Sequence, residues 1–315
     1  MTAPTRRATV VVNPAARRVR GRFDPERALA HLGERGVTAT IVTPDSAEAA
    51  TTAAREAGER GDDFLFVVGG DGTMRDAATG LAGSKTALAA LPAGTVNIWA
   101  RETGLPGDLW EALDAHLGGQ TLPVDLGVAD GRHFLLMAGI GWDAAVTREV
   151  PSRMKRRLGD IAYVLQAAGM LPRLRPAPAR WTVDGESHDE PVAMMIIGNT
   201  RLYGGVVQFT KAAFVDDGYL DVIALCPGTI VDATRLSMKT LTGRLGGDHH
   251  VAESRGRQVR VETPGIPVQI DGDFFGETPM EFSVEPAAVW VSVPAGRLPA
   301  IFSGEAVAAG AAAGA

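Results

Sequence analysis

Residues 8 to 91 alternate short apolar runs with longer amphipathic stretches, and no other feature of the chain restricts its fold as much. Ala8 to Val12 is continuously apolar apart from Thr9, the pattern of a strand buried on both faces of a parallel sheet. The residue pattern then predicts a helix around Pro25 to Arg35, a strand Thr38 to Val42 and a helix Ser46 to Arg60. A strand Phe64 to Val68, a helix Thr73 to Leu81 and a strand Thr86 to Leu91 continue the series. Strands and helices in that order specify an α/β domain with a doubly wound, mostly parallel sheet, whose ligands lie beyond the carboxyl ends of the strands.

Near Leu122-Pro123-Val124 the pattern changes to short runs punctuated by turns, among them Asp130-Gly131, Gly204-Gly205, Asp217-Gly218 and Asp271-Gly272. Such punctuation predicts a β-rich antiparallel C-terminal domain, with one helical insertion from about Ser152 to Met170. The 315 residues have room for two cores. The expected division is an α/β domain over 1–124, a β-rich domain over 125–303, and a disordered alanine- and glycine-rich tail over 304–315.

Composition excludes several functions. With a formal net charge of −6, the average field does not attract nucleic acid, and no aromatic residues are interleaved with its basic ones for stacking. The lone Cys226 follows the apolar run Val222 to Leu225 and reads as a core thiol. No apolar run reaches the ~18 residues of a membrane span, and Asn13-Pro14 stops the first one, so a cytoplasmic protein is expected. Arg148, Arg153, Lys155, Arg156 and Arg157, then Arg173, Arg175 and Arg180, form the densest basic stretch. It is either a solvated helix face or a transient contact with the inner membrane surface. A homodimer is left open, with no surface named for it.

Gly83-Ser84-Lys85-Thr86 lacks the glycine that a P-loop needs before its lysine, and His249-His250 sits in a loop rather than in a metal-ligand pattern. The chemistry concentrates elsewhere. Val67-Val68-Gly69-Gly70-Asp71-Gly72-Thr73 runs from a strand through glycines into a helix, a design that lets backbone amides approach a phosphate. Asp71 would repel that phosphate unless a cation such as Mg²⁺ lies between them. Leu91 to Asn97 repeats the design, with Thr95 and Asn97 as donors, and Asn13 and Thr43 end the first two strands on the same sheet edge.

Gly69-Gly70-Asp71-Gly72-Thr73, continued by Met74 to Leu81, resembles the glycine-rich signature of the diacylglycerol kinase catalytic domain, shared with sphingosine kinases and more remotely with NAD kinases. Pro92 to Arg101 resembles the second nucleotide loop of that family. Ala138 to Ala144, Gly198-Asn199 with Gly204-Gly205, Asp216 to Val222 and Val268 to Asp273 extend the likeness in order along the chain. The resemblance implies a lipid kinase that uses ATP with Mg²⁺ and a lipid as its acceptor, the nucleotide being contacted by Asn13, Thr43, Gly69 to Thr73 and Thr95. It also implies Asp273 as the base that takes the lipid hydroxyl proton, with Asp71 as the competing candidate. A structural Mg²⁺ is implied at Asp217 with the carbonyls of Phe214 and Tyr219. Against the family pattern, Ile98 stands for an aspartate, Asp76 and Asp273 for glutamates, and Ala15-Ala16-Arg17 follows Asn13-Pro14. An NAD-kinase-like enzyme and a lipid or nucleotide sensor without turnover are the alternatives.

Overall fold

A computed structural model describes residues 6–16, 19, 23–149, 176–205, 207–241 and 244–304. The helical insertion expected from Ser152 to Met170, most of the basic stretch and nearly all of the expected tail lie outside the described residues. The chain divides into two compact units, one taking the chain up to Asp125 together with the stretch from Ala287, the other being Leu126–Pro286.

In the first unit, strand β1 (Arg6–Val12) is followed by helix α1 (Pro25–Glu34), β2 (Val37–Val42), α2 (Ala47–Glu59), β3 (Phe64–Gly69), α3 (Asp71–Leu81) and β4 (Ala87–Pro92). Helices α4 (Ile98–Glu102) and α5 (Leu109–Leu117) complete it. The strands pair in parallel in the order β2-β1-β3-β4, with Val11 opposite Val42, Val12 opposite Val68 and Gly69 opposite Pro92. Every residue of β3 and β4 is buried, which is why these strands read as unbroken apolar runs rather than alternating ones. On one face Val10, Phe66 and Ala89 pack with Leu32 of α1 and Leu113 of α5. Each such large side chain contributes about 1.5–3 kcal/mol by leaving water.

Local chemistry starts the helices. Asp24 accepts the amides of Glu26 and Arg27 ahead of α1, Ser46 accepts that of Ala49 ahead of α2, and Asp108 those of Trp110 and Glu111 ahead of α5. Each cap stabilises by about 1 kcal/mol. Helices α2 and α3 pack so closely that a Cβ on Gly80 would lie 2.2 Å from the Thr51 carbonyl oxygen. The alanine face of α2, Ala50, Ala53, Ala54 and Ala57, is what permits that approach.

Strand β5 (Gln120–Ala129) carries the chain into the second unit. There follow β6 (Arg132–Phe134), β7 (Met137–Gly141), α6 (Trp142–Glu149), β8 (Trp181–Val183), β9 (Glu186–His188), β10 (Met194–Gly198), β11 (Leu202–Tyr203) and β12 (Val207–Gln208). Then come β13 (Leu220–Leu225), α7 (Ile230–Leu241), β14 (Val251–Gly256), β15 (Gln258–Val261), β16 (Pro267–Ile270), β17 (Asp273–Glu277) and β18 (Met280–Val293). One sheet has the order β14-β13-β10-β7-β16-β17, antiparallel throughout. A second antiparallel set joins β8 and the opening part of β18 to β15. Ile140, Ile197, Val222 and Val268 from the first set form one core with Trp181, Val259 and Phe282 from the second. β18 then returns the chain to the first unit, where Val291 lies opposite Leu88 of β4 in parallel.

The turns that punctuate the sequence take left-handed backbone: Asp130 and Gly131 have φ of 43° and 81°, Asp271 and Gly272 of 47° and 85°. Aspartate and glycine tolerate that region best. Among the described residues no helix is long and apolar enough to cross a membrane.

Candidate active site

The parallel register of the first unit brings Asn13, Thr43, Gly69 and Pro92 to the carboxyl edge of one sheet. Thr43 is exposed there and Asn13 half-buried. Asn13 bridges two elements: its Nδ2 donates to Thr73 Oγ1 at 2.8 Å, and its Oδ1 accepts the amide of Ala15 at 2.9 Å. Thr73 in turn fills the space where a side chain on Gly69 would be, since a Cβ there would lie 2.8 Å from its own. The first glycine thus admits the threonine that Asn13 holds.

The two glycine loops touch through their backbones. Gly69 O accepts the amides of Ala93 and Gly94 at 2.9 and 3.1 Å, and a Cβ on Gly94 would meet Gly70 Cα at 2.6 Å. The second loop closes on itself through Asn97, whose Oδ1 accepts from Gly94 N at 2.9 Å and whose Nδ2 donates to Gly94 O at 3.1 Å. Asn97 does this at a φ of 51°, a left-handed position that asparagine tolerates. Thr95, in the same loop, is half-buried.

Asp71 fastens the pair. Its carboxylate accepts the amides of Ile98 at 3.0 Å and Trp99 at 3.1 Å, and so caps α4 from the first turn of α3. Burial pushes the Asp71 carboxyl above the usual carboxylate range, against the two amides, which lower it. A negative charge there carries a desolvation cost, set against the fixed placement of α4 that the two amide contacts provide. The start of α3 provides first-turn amides and the positive end of the helix dipole beside it, a setting that suits the oxygens of a polyphosphate.

Arg75, which sequence reasoning passed over, is 5% exposed and pairs with the neighbouring Asp76 at 3.0 Å. A buried guanidinium beside a glycine-rich helix start is a charge of the right sign for phosphate. Nothing in the residue pattern separates it from the surface arginines of this arginine-rich chain.

In the second unit, Asp271 accepts the amides of Leu135, Leu136 and Met137 at 2.8, 2.9 and 3.0 Å. That carboxylate anchors the turn, and the same turn presents Asp273, exposed, at the first position of β17. Asp143 is fully buried, accepting from Tyr203 Oη and, at 2.6 Å, from Gln269 Nε2.

Of the residues implied for a structural Mg²⁺, Phe214, Asp217 and Tyr219, the aspartate carboxylate is engaged within the chain. One Asp217 oxygen accepts the Tyr219 amide at 3.0 Å and the other pairs with the Arg255 guanidinium. Arg255 lies over the Tyr219 ring at 4.6 Å, with Arg257 at 5.0 Å, while Arg201 covers Phe214 at 4.6 Å. A cation of charge +2 placed about 4 Å from a guanidinium meets a repulsion of several kcal/mol even near the surface. In this structure Arg255 thus supplies the positive charge beside Asp217. Among the described residues, no group of three or more His, Cys, Asp and Glu side chains can hold a metal.

Residues 7–129 match the family model of the diacylglycerol kinase catalytic domain, and residues 137–293 that of the YegS C-terminal NAD kinase beta sandwich-like domain. The chain is 30% identical over 281 residues to a diacylglycerol kinase of Bacillus subtilis, covering 88% of this chain and 93% of that protein. It is 35% identical over 276 residues to a diacylglycerol kinase of Mycobacterium tuberculosis, covering 85% and 88%. The crystal structure of a diacylglycerol kinase from Bacillus anthracis matches the fold with a TM-score of 0.71 at 21% identity, over 93% of this chain and 98% of that one. The N-terminal parallel sheet with its paired glycine loops and the C-terminal β-sandwich are the two halves of that architecture, and the chain belongs to the diacylglycerol kinase catalytic-domain family, a family of lipid kinases.

Proposed function

We propose that the chain transfers the γ-phosphoryl group of MgATP to the hydroxyl of diacylglycerol or a related lipid. The observation that carries this reading is the backbone contact of Gly70 with Gly94, locked by Asp71, at the carboxyl edge of a parallel sheet. Two turns that meet at glycines and are tied together form a cradle of amides for a polyphosphate, with Asn13, Thr73 and Thr95 as hydroxyl and amide donors around it. Mg²⁺ arrives with the nucleotide as part of the co-substrate and neutralises charge on the phosphates.

In the transfer, the lipid oxygen forms a bond to the γ-phosphorus as the bond from that phosphorus to the β,γ-bridging oxygen breaks, and ADP leaves. The hydroxyl proton passes to a carboxylate, for which Asp273 is the better candidate. Asp273 is solvent-exposed and holds the position that the resemblance assigns to the base, and Asp71 spends its two oxygens capping α4.

Incubation of the purified chain with γ-labelled ATP, Mg²⁺ and vesicles containing diacylglycerol tests the reading. Label in the chloroform-soluble phase is the expected result. Label in NADP when NAD is supplied would favour a soluble nucleotide acceptor, and nucleotide binding without any labelled product would favour a sensor.

A further inference from the structure

A continuous hydrogen-bonded path runs through the core of the second unit to the turn that carries Asp273. It begins at Tyr203 Oη, which donates to Asp143 Oδ1. Asp143 Oδ2 accepts Gln269 Nε2 at 2.6 Å, and Gln269 Oε1 accepts the amide of Gly272 at 2.6 Å. Asp143 and Gln269 are 0% and 2% exposed, so water does not compete for these partners.

The polarity of the path is determined at both ends. A carboxylate only accepts, so it turns the NH₂ of Gln269 toward itself, and the Gln269 oxygen is left facing the turn, where a peptide N–H needs an acceptor. A backbone amide next to the exposed Asp273 is thereby held by a buried charge on α6. The network also dictates a glycine: a Cβ on Gly139 would lie 1.9 Å from Asp143 Oδ2 and 2.5 Å from Gln269 Nε2.

We infer that Gln269 and Asp143 are positioning residues for the phosphoryl transfer, holding the 271–273 turn so that the Asp273 carboxylate presents one orientation to the acceptor hydroxyl. This rests on the reading of Asp273 as the base. Gln269 lacks the reactivity that marks a catalytic side chain, and its role follows from what each end of its amide touches. An interaction that only sets the placement of a reacting group acts on kcat, and a misplacement of about 1 Å costs roughly 100-fold.

The test is steady-state kinetics of the full chain with MgATP and diacylglycerol micelles, alongside thermal unfolding of each variant. Gln269→Ala is expected to lower kcat by roughly 10- to 100-fold with KM for MgATP within about twofold. Asp143→Asn keeps an acceptor for Gln269 and turns its NH₂ toward the Tyr203 oxygen, which can accept it, and should retain at least about a third of wild-type kcat. Asp273→Asn is the control for the underlying reading: if it turns over like wild type, the base assignment fails whatever Gln269 does. If Asp273→Asn is inactive while Gln269→Ala stays within about threefold of wild type, the base stands and the positioning role is overturned. A loss in Gln269→Ala that disappears once rates are divided by the folded fraction also overturns it. Should Gln269→Ala not fold, Tyr203→Phe removes a single O–H from the far end of the path. A fall in its kcat with KM unchanged supports the role, and an unchanged kcat refutes it.

Discussion

Replacing Asp71 separates a carboxylate that serves stability from one that serves loop geometry. In the native chain its two oxygens accept the amides of Ile98 and Trp99 at 3.0 and 3.1 Å, bonds to a charged group that contribute about 1.5–3 kcal/mol each when considered alone. Burial raises the carboxyl above its ordinary range despite those bonds, so the cost of desolvating the anion is larger than what the amides return. Asp71→Asn relieves that cost, keeps one acceptor and loses the other, and the net change in unfolding free energy should stay within about 1 kcal/mol. Asp71→Ala leaves both amides of a buried helix start without an acceptor, at about 1–3 kcal/mol each, and should destabilise the chain by roughly 2–5 kcal/mol. Both variants loosen the hold of the first loop on the start of α4, leaving the Gly69 carbonyl as the tie between the loops, and MgATP affinity should fall at least about tenfold in each, or about 1.4 kcal/mol. Urea unfolding followed by far-UV circular dichroism and titration calorimetry with MgATP measure the two quantities. The reasoning is refuted if Asp71→Asn binds nucleotide like wild type, or if the alanine variant is no less stable than the asparagine one.

Two further outcomes follow from buried and paired charges. His116 is 1% exposed with Nε2 on the Ala90 carbonyl at 2.9 Å, and burial pushes its imidazole from 6.5 down to about 4. A folded pKa below the unfolded one means the contribution of the neutral ring is complete above 6.5 and is lost as pH falls through about 4. The total is roughly 3 kcal/mol, at about 1.4 per pH unit, and urea midpoints measured between neutral and acid pH should show it, whereas His116→Gln should flatten that part of the profile. Because Arg255 already neutralises Asp217, millimolar MgCl₂ in the absence of nucleotide should leave thermal unfolding of the second unit where EDTA leaves it. Arg255→Met should then introduce a magnesium-dependent rise in melting temperature that Asp217→Asn abolishes.

The parallel sheet was legible because strands buried on both faces leave continuous apolar runs, and the helices expected at Pro25 and Ser46 lie between them, whereas α5 with its Asp108 cap was not anticipated. Helix α3 begins at Asp71, two residues before the start expected at Thr73, since Gly70 takes the extended N-cap position and leaves Asp71 within the first turn. The return of β18 to the first unit left no mark, because a strand's partner in another part of the chain is decided by packing rather than by its own pattern. The glycine loops were visible as loops, but what Asp71 does in them was not. A carboxylate in a glycine-rich turn has the same signature whether it meets a metal or a peptide amide 27 residues away. Gln269 and Asp143 lie inside stretches that carry the family likeness, yet a hydrogen bond spanning 126 residues has no periodicity to reveal it. The pairing of Asp217 with Arg255 was hidden for a related reason: Arg255, 38 residues on, reaches it through the pairing of β13 with β14.

Amide hydrogen exchange of the full chain with and without MgATP addresses the central claim, that the paired glycine loops are what holds the polyphosphate. Protection should rise in peptides covering 69–75 and 93–99, fade when Asp71 is replaced by asparagine, and leave strands β8, β9 and β15 unchanged. Exchange in both loops that is indifferent to millimolar MgATP, or protection confined to other segments, would contradict the account.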